Sequence, residues 1–293
     1  MPSSKFPSAI LRTGSQISGE SHDLVPWWSI TKSVLAVATM RLVESKSLEL
    51  DARFEDWPFT IKQLLHHTSG LTNYGGKIYQ SAVFNKDPVW SSDELLSRCN
   101  ARKLLFPPGT DWAYSNIGYM FIRHLIEQKS GLDINTALNQ LVFEPLKISN
   151  TFIASTPKDM AKTLWGNATN YDPRWVYHGL LVGPPSDAIL FMSGLLSGKL
   201  VSPETLEIIL NSRSLGGELP NRPWAKIGYG LGFMIGEMKN VGRAIGHSGV
   251  GHDTVSALYA FPDLPDCPIV SAFSQANNEG LVEFKVKQLA LNK

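Results

Sequence analysis

One segment of this chain is apolar around its whole circumference when it is drawn as a helix. The run SITKSVLAVATMRLVES, residues 29–45, places apolar residues at helical spacing on almost every side. A helix of this kind has to be covered by protein on all faces, which requires a large domain. With 293 residues, of which 43% are hydrophobic, the chain can form one large domain or two closely packed ones.

The segments before and after this helix differ in type. Two short strands are predicted at residues 8–11 and 16–18, and helices dominate from about residue 58 to 200. Ser92 and Ser186 are candidate N-caps in this helical part, and Gly131 is a candidate C-terminal stop. The last third contains the β-rich runs YGLGFMIGEM, TVSALYAF and PIVSAFSQ, followed by a final helix near residues 281–291.

This order of elements predicts an α+β fold. We expect an α/β/α sandwich, in which one antiparallel sheet contains both ends of the chain and is flanked by helices. Residues 1–57 and 200–293 would together form this sheet domain. Residues 58–199 would form a mostly helical inserted domain, with the active site at the interface between the two.

Charge and cysteine content exclude several classes of protein. Lys and Arg number 27 against 26 Asp and Glu, so no basic excess exists to gather nucleic acid or an anionic membrane. Cys99 and Cys267 fit neither a disulfide framework nor a zinc-binding spacing. No apolar run approaches the ~18 residues that span a bilayer, and the start lacks the apolar core of a secretory signal. We therefore expect a cytoplasmic protein, or a periplasmic or secreted one if the chain is a processed form.

Ser29 and Lys32 form an S-x-x-K pair at the start of the apolar helix. Residues three apart share one helix face, so the hydroxyl and the amine can approach each other. Burial lowers the pKa of a lysine, and the neutral amine can then take the serine proton. The alternative is a helix cap with a lysine that reaches solvent. The motif alone does not decide, because a second S-x-x-K at residues 155–158 reads as the capped start of a surface helix.

The loop FPPGTDWAYSN carries Tyr114, Ser115 and Asn116 in front of a predicted helix. A phenol can pass a proton between nucleophile and leaving group if neighbouring cations lower its pKa. An asparagine amide can bind both a lysine and a substrate carbonyl. Taken in isolation, this loop favours a simpler interpretation, a turn tyrosine with Asn116 as the cap of the next helix.

A third motif, G-H-S-G at residues 246–249, stands where a strand should begin. Its glycines would let a substrate lie along the strand edge, and the backbone N–H of Val250 could complete an oxyanion hole. His247 would add a hydrogen-bond donor or, when protonated, a charge. A single histidine, however, is more often an ordinary core or surface residue.

In this order the three motifs resemble those of the penicillin-recognising serine hydrolases, which include class C β-lactamases, D-alanyl-D-alanine peptidases and related esterases. LLHHTSGL, FEPLKISNTF, YGLGF and PIVSAF are similar to further segments of that family, so the resemblance runs nearly end to end. It implies a β-lactamase/transpeptidase-like fold with Ser29 as the nucleophile. Lys32 and Tyr114 would share the acid and base work. The substrate-binding and oxyanion residues it implies are Asn116, His247, Ser248, Gly249 and Val250.

Two features depart from the family pattern. His247 stands where most β-lactamases have lysine, which argues against strong β-lactamase activity. Only 28 residues precede Ser29, so we expect reduced first strands and an open or differently bounded pocket.

Other conspicuous residues have ordinary interpretations. His66 and His67 lack a metal-site spacing and are expected to pack at a helix end, and His252 is expected in a turn. Of Trp27, Trp28 and Trp112, most should be core, while one or two could line an aromatic acyl pocket. No G-x-S-x-G occurs, so an α/β-hydrolase nucleophile elbow is not supported.

The sequence therefore predicts a serine hydrolase that needs no metal or cofactor and cleaves a carboxylic ester or a small or strained amide of a small-molecule substrate. A penicillin-binding D-alanyl-D-alanine peptidase or a weak β-lactamase is the close alternative. A catalytically silent relative that binds a peptide or partner is the alternative from another class. The acyl and leaving groups, the oligomeric state and the choice between Lys32 and Tyr114 as principal base stay open.

Overall fold

Ten strands in two sheets form the β-structure of the computed structural model, which describes residues 6–19, 22–166 and 171–292. In chain order the strands are β1 (Ser8–Leu11), β2 (Val25–Pro26), β3 (Phe152–Ala154), β4 (Leu180–Gly183), β5 (Arg213–Gly216), β6 (Trp224–Tyr229), β7 (Met234–Met238), β8 (Gly242–Val250), β9 (Thr254–Ala260) and β10 (Ile269–Gln275). Seven of them make one antiparallel sheet in the order β1-β10-β9-β8-β7-β6-β5, and β2-β4-β3 make a small second sheet. β1 pairs with β10, with Ser8 opposite Ala272, so both ends of the chain join one sheet as predicted.

Helices cover both faces of the large sheet. In chain order they are α1 (Ile30–Glu44), α2 (Ile61–Leu65), α3 (Lys77–Asn85), α4 (Ser92–Arg98), α5 (Asn116–Ser130), α6 (Ile134–Leu138), α7 (Pro157–Ala161), α8 (Pro185–Leu196), α9 (Pro203–Leu210) and α10 (Gly280–Leu291). Along β10, Ser271 bonds to the start of α8, whereas Val270 and Ala272 pack in one cluster with residues of α10. Because neighbouring strand residues point to opposite faces, α8 and α10 lie on opposite sides of the sheet. The predicted α/β/α sandwich is confirmed.

Helix α1 lies between this sheet and the helical part of the chain. Twelve of its fifteen residues are buried. It contacts α5 on the helical side and β8 and β9 on the sheet side. The prediction of a helix buried on nearly all faces is confirmed, and the start of α1 therefore lies at the meeting point of the two parts.

Some predicted helix starts are displaced by one or two residues. The cap of α4 is Ser91, whose hydroxyl accepts the N–H of Glu94, rather than Ser92. Helix α8 begins after Pro184 rather than at Ser186, because the fixed backbone of a proline at the first position favours a helix start. The stop of α5 at Gly131 is confirmed.

The predicted strands also need correction. Residues 16–18 do not form a strand, since only Ser18 pairs, through a single bridge to Ile10. The run YGLGFMIGEM is divided between β6 and β7 by a turn closed by a hydrogen bond from Gly230 N to Phe233 O at 2.8 Å. The G-H-S-G motif lies inside β8, not at its start.

The two predicted domains are joined by strand pairing and by helix packing. β2, from the first segment, pairs with β4 in the second, and α8 packs on β1 and β10. The division into residues 1–57 with 200–293 and residues 58–199 stays a prediction. Across the three described ranges, no helix is long and apolar enough to cross a membrane.

Candidate active site

The backbone before α1 is fixed by strands on both sides. Trp27 donates its backbone N–H to Leu181 O at 2.8 Å and its indole N–H to Gly183 O at 3.1 Å, both on β4. On the other side, the hydroxyl of Ser256 on β9 donates to Trp27 O at 2.9 Å. Ser29, two residues later, therefore has a position defined by both sheets.

Trp28, directly before Ser29, has a strained backbone. Its φ of 45° lies in the left-handed region that bulky residues rarely adopt. The indole N–H donates to Thr254 Oγ1 at 2.8 Å, and the ring lies against Gly251, where an added Cβ would meet it at 2.3 Å. A conformation of this kind persists only when its surroundings enforce it, which is typical of a nucleophile held in an exact orientation.

Ser29, Lys32 and Tyr114 come together at the start of α1. Lys32 Nζ lies 3.2 Å from Ser29 Oγ, and the Tyr114 phenol donates to the same oxygen at 3.0 Å. Lys32 is completely buried, and its Nζ also lies 5.0 Å from the centre of the Tyr114 ring. The loop before α5 thus brings the phenol to a serine 85 positions away in sequence.

Burial sets the protonation states of this group. Desolvation lowers the pKa of Lys32 well below its usual value, which favours the neutral amine. Burial raises the pKa of Tyr114, although the bond to Ser29 acts in the opposite direction. The positive charge of Arg222 also acts to lower this pKa, but burial outweighs it. The arrangement favours proton flow from the serine hydroxyl to the amine, with the phenol as a donor.

His178 is a third polar contact of this centre and carries no motif that marks it in the sequence. It is buried in front of β4, and its Nε2 lies 3.1 Å from Lys32 Nζ. Lys32 Nζ therefore contacts Ser29 and His178, and Asn116 is not among its partners in the described part of the chain.

The adjacent histidines His66 and His67 hold the tyrosine loop. His67 accepts the backbone N–H of Ser115 at Nδ1, 3.1 Å away, and its ring lies 4.3 Å from that of Tyr114. His66 lies at the end of α2, with Nε2 2.6 Å from Tyr229 O. Packing at a helix end describes His66, whereas His67 supports Tyr114 directly. The similarity of LLHHTSGL to a family segment was the signal that could have shown this.

Strand β8 passes close to the nucleophile. A Cβ added to Gly249 would lie 2.5 Å from Ser29 N and 2.7 Å from Trp28 Cβ. Only glycine lets the strand approach the start of α1 this closely. Val250, the next residue, is partly exposed beside Ser29.

His247 and Ser248 each bind a further side chain. His247 Nε2 lies 3.0 Å from the Tyr229 hydroxyl. Burial, with a smaller effect of Lys32, lowers the pKa of His247 to about 3, so its ring is neutral and the predicted charge is not available near neutral pH. Ser248 Oγ accepts a hydrogen bond from Arg222 at 2.9 Å. Arg222 in turn pairs with buried Glu283, which also accepts bonds from Trp224 and Tyr259.

Two clefts open on either side of Ser29, and Ser29, Asn116 and Val250 line both. The first, called here the aromatic cleft, measures about 570 Å³. Its aromatic lining comprises Trp28, Tyr74, Tyr79, Phe84, Tyr171, His178 and His252. The second, called here the charged cleft, measures about 730 Å³. Its polar lining includes Asp111, Tyr114, Arg213, Arg222, His247, Ser248 and Glu279.

The tryptophans and His252 are distributed over these clefts. Trp27 is core, Trp28 lines the aromatic cleft and Trp112 the charged cleft. His252 lies in the turn between β8 and β9 and also stacks on Tyr171 in the aromatic cleft, with ring centres 5.3 Å apart. Asn116 donates its backbone N–H to Asn73 Oδ1 at 2.9 Å. Among the residues the structure describes, no group of three or more His, Cys, Asp or Glu could hold a metal ion.

A buried amine and a phenol on one serine oxygen, between an antiparallel sheet and a helical part, define a site of the serine hydrolase type. Residues 11–282 match the model of the family described as Beta-lactamase. The chain belongs to this family.

Relatives and solved structures agree with this assignment. Penicillin-binding protein 4* of Bacillus subtilis (strain 168) is 24% identical over 277 residues, 82% of this chain and 59% of that protein. Esterase EstB of Burkholderia gladioli is 30% identical over 156 residues, 45% of this chain and 39% of the esterase. The chain thus spans less than two thirds of the length of both relatives. A D-stereospecific amidohydrolase from Streptomyces sp. has the same fold, with a TM-score of 0.78, 22% identity and coverage of 98% of this chain and 94% of the other.

Proposed function

We propose that the protein is a serine hydrolase that forms an acyl-enzyme on Ser29 and cleaves a carboxylic ester or a small amide. The observation that carries the proposal is the pair of contacts at Ser29 Oγ, 3.2 Å to Lys32 Nζ and 3.0 Å to Tyr114 Oη. A serine hydroxyl is a weak nucleophile until a neighbouring base accepts its proton. The burial of Lys32, which lowers the pKa of its amine, supports Lys32 rather than Tyr114 as that base.

Acylation takes three proton transfers. The Ser29 oxygen attacks the carbonyl carbon while its proton passes to the neutral amine of Lys32, and the carbonyl π electrons move to the oxygen. The tetrahedral intermediate then collapses as the Tyr114 phenol protonates the leaving group, and the Lys32 ammonium gives its extra proton to the resulting phenolate, which restores the phenol and the neutral amine. A water molecule repeats the sequence in reverse to release the acid.

Two backbone N–H groups are suited to hold the developing oxyanion. Gly249 brings β8 against the start of α1, so the N–H groups of Ser29 and of the next strand residue, Val250, are the proposed pair of donors. Fixed N–H dipoles at the N-terminus of a helix stabilise negative charge without reorganisation. Asn116 lines both clefts and would orient the substrate amide or ester.

The two clefts suggest which part of the substrate lies where. Tyr114, the proton donor for the leaving group, lines the charged cleft but not the aromatic one. The leaving group therefore belongs in the charged cleft and the acyl group in the aromatic cleft. A wall of Trp28, Tyr79 and Tyr171 favours an aromatic or branched apolar acyl group over acetate.

The test combines labelling with a matched ester series. A fluorophosphonate should label the wild-type protein on Ser29, as mapped by mass spectrometry of peptides, and should not label Ser29→Ala. p-Nitrophenyl phenylacetate should give a higher kcat/KM than p-nitrophenyl acetate, because only the former fills the aromatic cleft. If wild type and Ser29→Ala hydrolyse every ester, amide and β-lactam at the same background rate, the protein is a catalytically silent binder.

A penicillin-binding peptidase is the second candidate, and Arg213 favours it. This guanidinium lines the charged cleft, and within the described ranges it bonds only to the backbone oxygens of Gly109 and Thr110. It is therefore available to a substrate carboxylate, which a neutral His247 cannot attract. A stable fluorescent-penicillin adduct at Ser29 with slow ester turnover would favour this candidate over the esterase.

A further inference from the structure

We infer that His178 is a positioning residue that holds the neutral amine of Lys32 in the orientation needed to accept the Ser29 proton. The inference rests on the proposed acylation of Ser29 and names a residue outside the three motifs. Its starting point is the 3.1 Å contact between His178 Nε2 and Lys32 Nζ in a fully buried location.

The backbone that presents His178 is fixed relative to Ser29. A tight turn precedes β4, closed by a hydrogen bond from Gly179 N to Val176 O at 2.7 Å. Gly179 has a φ of 94°, a conformation that favours glycine. In β4 itself, Leu181 accepts the N–H of Trp27 at 2.8 Å, and its own N–H donates to Thr31 Oγ1 at 3.1 Å. One strand therefore determines the positions of the nucleophile, the amine and the imidazole.

The proton count of a neutral amine gives His178 a defined role. A neutral lysine has one lone pair and two N–H bonds. If the lone pair is to accept the Ser29 proton, an N–H must point away from Ser29, and His178 Nε2 accepts it when the ring proton is on Nδ1. The opposite tautomer would donate to the lone pair and block the base. After proton transfer the ammonium keeps the same bond to Nε2, so no new contact has to form.

The hydrogen bonding of His178 fits this role better than a purely structural one. Its Nδ1 is buried and has no partner in the described parts of the chain. Among residues 6–19, 22–166 and 171–292, Lys32 is thus the only hydrogen-bond partner of the ring, and these residues gain no other bond from this histidine. A histidine retained for stability would be expected to satisfy both nitrogens.

The surroundings of Lys32 determine how the rate should depend on pH. The titratable side chains that face Lys32 are Tyr114, Tyr119, His67, His178 and His247. Burial lowers the pKa of all three imidazoles and raises that of both phenols, so none of them changes charge near neutral pH. Arg123 adds a further positive charge near His178. The fall in rate on the acid side therefore reports protonation of Lys32.

The experiment compares two polar replacements of different reach. In His178→Gln the side-chain oxygen can occupy the place of Nε2, whereas in His178→Asn it stops near the place of Nδ1. We expect kcat for p-nitrophenyl phenylacetate to fall about 10- to 100-fold in His178→Asn, the effect of losing a hydrogen bond to a charged group, with little change in KM. The acid limb of kcat/KM should also move to lower pH, because the ammonium has lost an acceptor. His178→Gln should restore kcat and return the acid limb of kcat/KM to its wild-type pH.

The control is His124→Leu on α5, an exposed side chain that lines neither of the two clefts at Ser29, which should match wild type. Fluorophosphonate labelling rates of all variants provide a second readout that does not depend on the ester. Equal kcat and an equal acid limb in wild type and His178→Asn would overturn the inference, as would equal losses in His178→Asn and His178→Gln. If the wild type itself is neither labelled nor active, the proposed function fails and the inference fails with it.

Discussion

Adding one methyl group at Gly249 should disable the site while leaving Ser29, Lys32 and Tyr114 unchanged. In Gly249→Ala, the new Cβ would lie 2.5 Å from Ser29 N, 2.7 Å from Trp28 Cβ and 2.9 Å from Ser256 Oγ. Two of these atoms cannot rotate away, because one is backbone and the other is directly attached to it. Strand β8 and the start of α1 would therefore have to separate by about 1 Å to reach ordinary contact distances.

This separation determines the size of the effect. Overpacking of this kind costs about 1–3 kcal/mol of stability. It also moves the N–H of Ser29 relative to that of Val250, the two proposed oxyanion donors. Loss of one such donor lowers kcat by about 10²–10³, and we expect a decrease in this range.

The assay measures kcat for p-nitrophenyl phenylacetate together with the urea midpoint of unfolding. Gly217→Ala is the matched control, because its Cβ would meet only Ala225 O, at 3.8 Å, and should change neither quantity. A Gly249→Ala protein with kcat within about threefold of wild type would refute the placement of the oxyanion hole between Ser29 and β8. A loss of kcat in Gly217→Ala as large as that in Gly249→Ala would refute the steric explanation.

Three further outcomes are expected. Tyr114→Phe removes the phenolic hydroxyl that lies 3.0 Å from Ser29 Oγ, so kcat for alkyl esters should fall by about 10²–10⁴. The decrease should be much smaller for p-nitrophenyl esters, because their leaving group needs no proton. Equal losses for the two kinds of ester would contradict the donor role. Burial lowers the pKa of His247 to about 3, so below pH ~6.5 the unfolded chain binds a proton at this residue that the folded protein does not. As the pH falls from about 7 to 5, this group should therefore lower the free energy of unfolding by about 2 kcal/mol. Urea unfolding of His247→Gln at the two pH values should lack that contribution. Glu283→Leu leaves the Arg222 guanidinium without its buried partner and should cost about 3–5 kcal/mol in urea unfolding, whereas a stability equal to wild type would mean that the pair is dispensable.

Local patterns in the sequence were sufficient for the main elements of the fold. The all-round apolar run predicts α1, and the β-rich last third predicts the sheet, because burial on one or all faces imposes a period on the chain. The errors are at element ends, such as the cap of α4, at residues 16–18, where a single bridge replaced a strand, and in the run YGLGFMIGEM, which a turn divides into two strands. The ends of helices and strands depend on individual hydrogen bonds, which cannot be predicted from the spacing of hydrophobic residues.

In the candidate site, too, some contacts follow from local sequence and others only from the packing of distant elements. Ser29 and Lys32 are one helical turn apart, so their contact follows from local geometry once α1 is recognised. His178 approaches Lys32 across 146 positions, and Arg222 meets Glu283 across 61. Neither pair belongs to a motif, and each exists only because β4 or α10 packs where it does.

The sequence by itself determined the helix that carries the nucleophile, the sheet behind it and the three motifs that resemble a known family. Only the tertiary structure decided the protonation states, the two clefts and the support given by His178 and His67. The physical reason is that a periodic pattern is a property of neighbouring residues. The desolvation that lowers the pKa of Lys32 and raises that of Tyr114 is instead a sum over every element packed around them.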